Sequence, residues 1–155
     1  MSVSREDVMG ALQTALTGLS ITLPENQGGA TFTLKFVARR VRDPENVDSS
    51  DRPCIYLVEH IDNWESQALD VPSVRIMNVW ALLYIDTGTN ENLVPMTQVN
   101  LFIEQMEATF DPDNGSGATL AGYVRSVKLA GEGVRAAGDT TGKMFAAIPI
   151  NIVIP

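Results

Sequence analysis

Four places in this chain hold side chains at spacings that invite chemistry. Gly138, Gly142 and Lys143 sit like the anchor points of a phosphate-binding loop. The two glycines are one residue too close. Met144 stands where a hydroxyl should meet magnesium, and a strand pattern follows where a helix N-terminus is needed. Asp111, Asp113, Asn114 and Gly115 resemble a calcium loop, but Asn and Gly each come one place early and no Glu closes the loop. His60, with Glu59 and Asp62 beside it, has the composition of a general-base dyad. As the only histidine, together with the only cysteine, Cys54, it cannot form a common zinc site unless carboxylates or other chains contribute. The expected roles are plainer: a helix stop at Asp111, a surface imidazole after a strand, and Cys54 as a small core residue. No catalytic, metal or cofactor site is expected.

What remains are residues suited to contact. Lys35, Arg39, Arg40 and Arg42 form a basic cluster in a chain whose net charge is −8. Such a patch faces either water or an acidic partner, including a neighbouring copy of this acidic protein. Trp64 lies in a polar stretch, either as an anchor for a partner or as a satellite core residue. Pro149 interrupts the hydrogen-bonding capacity of the last strand, which places that strand at an edge or at a bulge. An apolar edge needs a cover, and a second subunit can supply it. Arg39, Arg40, Arg42, Trp64 and Pro149 are therefore the candidate interface residues.

Composition sets the frame. The 155 residues are enough for one domain with a real core, expected to span 1–155. Hydrophobic content of 45% and charged content of 19% are ordinary for a globular fold. The acidic balance argues against a nucleic-acid binder. No apolar run approaches the roughly 20 residues that span a bilayer. The first residues lack the basic and apolar regions of a signal peptide, and one cysteine excludes an internal disulfide, so synthesis in a reducing cytoplasm is expected. Asn114-Gly115-Ser116 is then a turn rather than a glycosylation site.

Periodicity supplies the elements. Ser4 caps a first helix, with Val8, Ala11, Leu12, Ala15 and Leu19 on its apolar stripe. Alternation predicts a strand over 31–41, with Phe32, Leu34, Phe36 and Ala38 on one face. Further strands are expected over 53–59, 74–85, 120–130 and 143–155. The last carries Ile148, Ile150, Ile152 and Ile154 on one side. From Val79 the third strand is apolar on both faces, so both faces are covered. Pro95 opens a second helix whose Val99, Phe102, Ile103, Met106 and Phe110 share a face. Stretches 43–51, 86–92 and 131–142 read as mobile loops. The fold class is α+β: a mostly antiparallel sheet of about five strands with two helices packed on it.

Certain segments, taken in order, carry a resemblance. They are Arg39-Arg40-Val41 ending the first strand, Pro53-Cys54-Ile55-Tyr56-Leu57, Leu83-Tyr84-Ile85-Asp86 and Val99-Asn100-Leu101-Phe102-Ile103. The stop at Asp111-Pro112-Asp113-Asn114, then Thr119-Leu120-Ala121-Gly122-Tyr123-Val124 and the closing Ala147-Ile148-Pro149-Ile150 complete the series. Together they resemble the tail-terminator or tail-completion proteins of tailed bacteriophages. The resemblance covers most of the chain and implies a virion protein forming a ring, usually of six subunits. Such a ring caps the tail tube, stops its polymerisation and presents a surface to the head–tail connector. Its implied partners are further copies of itself, the tail-tube protein and the connector protein; it implies no enzyme. Two other readings are another neck or tail-tube component, and a small enzyme or ligand-binding domain using His60.

Overall fold

The computed structural model describes residues 3–65, 69, 74–130, 133–136 and 142–154. Most of the glycine-rich stretch 131–142, most of the phosphate-loop-like segment 138–144, part of the connection around 66–73, and Pro155 lie outside them.

Helix α1 (Arg5–Leu16) starts where the cap predicts: the Ser4 hydroxyl oxygen accepts from the Asp7 amide at 3.0 Å. Its buried stripe is Val8, Met9, Leu12 and Leu16, so the helix is rotated toward Met9 and away from Ala11 and Ala15. Helix α2 (Pro95–Thr109) has Pro in its first turn and buries Val99, Phe102 and Met106. Burying each such side chain is worth roughly 1.5–3 kcal/mol before entropy is subtracted. Val94 caps α2 without a side-chain bond, but Gln27 compensates from a 3₁₀ turn (Glu25–Gln27). Its Oε1 accepts from Val94 N at 3.1 Å and its Nε2 donates to Thr97 Oγ1 at 3.0 Å. A third helix, α3 (Gly115–Ala118), follows the predicted stop. Gly117 is required there, because a Cβ would overlap the Thr109 carbonyl oxygen.

The α+β class holds, with a mostly antiparallel sheet and two long helices. Among the described residues the main sheet has six strands: β3 (Val37–Ala38), β4 (Cys54–Glu65), β5 (Val74–Asp86), β8 (Lys143–Ile154), β6 (Ser126–Leu129) and β7 (Val134–Ala136). They lie in the order β3-β4-β5-β8-β6, with β7 also against β8. β3–β4 is parallel and the other pairs are antiparallel. The expected strand over 31–41 is two strands in two sheets. β2 (Thr31–Thr33) pairs with β1 (Ser20–Thr22) as a separate ribbon. Between β2 and β3 the chain crosses, with Lys35 N donating to Pro53 O and Ile55 N to Phe36 O. Phe32 and Leu34 join the core under the helices, whereas Phe36 and Ala38 join a second cluster, so the alternation does not mark one continuous face.

The strand expected over 120–130 shrinks to β6. Leu120 (φ 46°), Ala121 (φ 59°) and Gly122 (φ 91°) adopt left-handed backbone there, which a strand excludes. β7 falls within the stretch expected to be a loop.

Register assigns the two faces. Met77, Val79, Ala81, Leu83 and Ile85 of β5 oppose Ile152, Ile150, Ile148, Ala146 and Met144 of β8. These residues meet α1 and α2 in the main core. The isoleucine stripe is thus the floor beneath the helices. Pro149 is not on an edge strand, because β8 lies between β5 and β6–β7. Pro149 O accepts from Ala130 N at 3.2 Å, so its missing N–H faces the same side. That side is the break between β6, which ends opposite Ile150, and β7, which begins opposite Ala147. A central strand tolerates the proline because, among the described residues, neither β6 nor β7 pairs with it in a ladder.

Candidate surface for assembly

The face of the sheet away from the helices is built in rows. Cys54, Tyr84 and Phe145 make the first; Tyr56, Leu82 and Ala147 the second; Val58, Trp80 and Pro149 the third. Asn78, Asn151 and Lys128 follow, then Ile76, Val153 and Ser126. The first two rows are covered by the chain itself. Val47, 2% exposed, packs with Cys54, Tyr56 and Tyr84, and Phe36 and Ala38 complete the cluster. The remaining rows have no such cover among the described residues. Val58, Ile76, Trp80, Pro149 and Val153 are half-buried around an amide pair in which Asn151 Nδ2 donates to Asn78 Oδ1 at 3.2 Å. His60 lies edge-on to Trp80, with ring centroids 6.0 Å apart.

The cover over the first rows is not a mobile loop. Residues 43–51 form two 3₁₀ turns (Pro44–Asn46 and Ser49–Asp51), tied down by a side chain that sequence reasoning passed over. Arg52 is 6% exposed. It donates to three carbonyl oxygens: Pro44 at 2.6 Å, Ile85 at 3.2 Å and Val47 at 3.4 Å. Its guanidinium lies 5.4 Å from the Tyr84 ring centre. The Tyr84 hydroxyl donates to Arg42 O at 2.7 Å and fixes the entrance of the same loop. A charged residue after a polar stretch gives no sequence sign of this, because its partners are backbone atoms.

Burial pushes the Cys54 thiol up to about 11, and burial, with Cys54 and Tyr56 nearby, pushes the Tyr84 hydroxyl up to about 12. Cys54 is therefore a protonated core thiol at neutral pH and no nucleophile. Both groups stay protonated in the fold at a pH where the unfolded chain releases the proton. The folded state then holds more protons, and stability falls as pH rises. Denaturation midpoints are expected to decline from about pH 9, the ordinary thiol value, through pH 11. A C54A/Y84F variant is expected to lose most of that slope.

The predicted basic cluster is divided by the fold. Arg39 is committed internally: it holds Glu6 at 2.6 and 3.0 Å and approaches Glu59 at 3.5 Å. That hydrogen bond and the charge of Arg39 lower the Glu6 carboxyl pKa. Arg5 holds Asp62 at 2.7 Å and lies 3.6 Å from Glu59. A bulge in β4 makes this network: pairing jumps from Glu59↔Val79 to Asp62↔Met77, so both carboxylates emerge on the helix face. The carboxylates flanking His60 are thus taken by arginines, the dyad is not assembled, and His60 is exposed. Arg40 and Arg42 remain exposed and make no ion pair among the described residues.

Trp64 lies in β4 rather than in a loop, opposite Arg75, and is 64% exposed. It is on the helix side of the sheet, so it and Pro149 serve different surfaces. Among the described residues, no group of three His, Cys, Asp or Glu side chains is placed to hold a metal, and no helix is long and apolar enough to cross a membrane. No protein-family model and no curated protein matches the chain.

Proposed function

We propose that this chain is a structural subunit of a bacteriophage tail end: copies close into a ring that caps the tail tube, halts its growth and offers a surface to the head–tail connector. The observation that carries this reading is the half of the sheet's helix-free face that no described residue covers. Trp80 stands at its centre, with Val58 and Pro149 beside it and Ile76 and Val153 beyond the asparagine pair. A partly covered apolar sheet face with a tryptophan at its middle has the makeup of a protein-binding surface. The order of segments that resembles tail terminators supports the same reading, as does an acidic chain of net charge −8, unsuited to gripping DNA. In this reading the face meets the end of the tube, and the protein works by contact rather than turnover.

The test is electron microscopy of tail-tube protein polymerising with and without this protein. Tubes that stop short and carry a ring at one end are expected. Tubes of unchanged length with bare ends would overturn the reading, and protein decorating the whole tube would make it a tube component.

A further inference from the structure

The opposite edges of the sheet carry two surfaces of opposite charge, each with an apolar element. At the β3 edge, the segment after the strand exposes Arg40, Val41 and Arg42 in succession. Val41 is 43% exposed, an apolar side chain between two cations. Asp43 and Asn46 line the shallow cleft beside them. At the other edge, a groove of about 410 Å³ lies between α2, the end of β6 and the middle of β8. Ile103, Leu129, Ile148 and Pro149 are among its walls, and Glu107 is on its rim. Glu104 is exposed next to Ile103 on the same helix.

Neither glutamate makes an ion pair among the described residues, and the last turn of α2 holds no basic residue. Acids in the last turns of a helix sit at the negative end of its dipole, so this rim gains from an outside cation. Among the described residues Arg40 and Arg42 make no ion pair, and Val41 is an exposed apolar side chain outside the core. From β3 to β6 there are four strand spacings, about 19 Å at ~4.8 Å each, so the two surfaces cannot meet within one molecule. Two different, complementary patches on one subunit are what head-to-tail association requires.

We propose that copies of this chain join head to tail, with Val41 entering the groove between α2, β6 and β8 of the next copy while Arg40 and Arg42 pair with its Glu104 and Glu107. The proposal rests on the ring reading above and names its subunit contact. Pro149 thereby acquires a role as a wall of the groove.

The test is a charge exchange followed by sedimentation velocity. R40E/R42E and E104R/E107R each place like charges across the contact. Each alone is expected to weaken self-association by about tenfold or more. Mixed in equal amounts, the acidic lip of one variant meets the basic rim of the other, and the wild-type lip meets the wild-type rim, so association is expected to return. All four side chains are exposed, and thermal unfolding of each variant checks that the fold persists. Should either double variant fail to fold, V41C/I103C replaces it: oxidation is expected to give a covalent ladder, with Cys54 buried and silent. Variants that associate like wild type, a mixture that stays dissociated, the absence of a ladder, or a wild type that is monomeric at every concentration would each overturn the contact. Tube capping, scored separately by microscopy, decides the ring reading independently.

Discussion

Arg52→Ala is expected to lower the stability of the fold by about 3–5 kcal/mol, a large part of what a domain of this size has. The guanidinium replaces water for three carbonyl groups, those of Pro44, Val47 and Ile85. Truncation leaves these acceptors without their donor, opens space beside Tyr84, and frees the two 3₁₀ turns that cover the first rows of the sheet. Because Val47 is 2% exposed beneath those turns, losing the strap also exposes the cluster of Cys54, Tyr56 and Tyr84. Arg52→Lys is expected to recover only part of the loss, since an ammonium cannot span three acceptors with a planar fork. Urea unfolding measures the size of the effect. Reactivity of Cys54 toward a thiol reagent under native conditions reports the local opening. A variant within 1 kcal/mol of wild type, as a rough threshold, would mean that the turns hold without their strap.

Trp80→Ala is expected to weaken binding to the tube end by about thirtyfold or more, the scale of a central aromatic anchor, while leaving the fold intact. Trp80 is half-buried on the helix-free face, and its neighbours across the strands are Val58 and Pro149. The core beneath the helices, from Leu12 to Phe102 and Ile150, does not include it. Head-to-tail association through the sheet edges should persist in this variant. The two surfaces are thus separable: Trp80→Ala removes capping and keeps self-association, whereas R40E/R42E removes self-association first. Capping by Trp80→Ala at wild-type efficiency would move the tube-facing surface elsewhere, with exposed Trp64 the next residue to replace.

The local elements were legible because local rules govern them. Ser4 caps α1, Pro95 opens α2, and the isoleucine stripe of β8 lies where period-two alternation puts it. What escaped depends on distant chain. Alternation over 31–41 is real, but it cannot say that Leu34 and Phe36 serve different clusters once the chain crosses between sheets. Pro149 signals a missing hydrogen bond and not where the vacancy falls; only the break between β6 and β7 explains a proline in a central strand. Leu120 and Ala121 give no hint of left-handed backbone, since neither residue favours it. At the surface, Arg40 and Arg42 kept their expected exposure. Arg39 went to Glu6 and Glu59, because β4 carries Glu59 on the helix face with Ile55 and Leu57, and the bulge after it brings Asp62 to the same face for Arg5. Neither Arg52 as the strap nor Trp80 as the proposed contact was legible: one bonds to backbone, and the other lies in a run apolar on both faces.

The central claim is that this chain closes into a ring, and sedimentation velocity of the wild-type protein across a wide concentration range tests it most directly. A closed ring gives one discrete species, on the order of six times the 16.8 kDa protomer, that gains population with concentration without growing further. A monomer at every concentration, or a series of ever larger species, would contradict it.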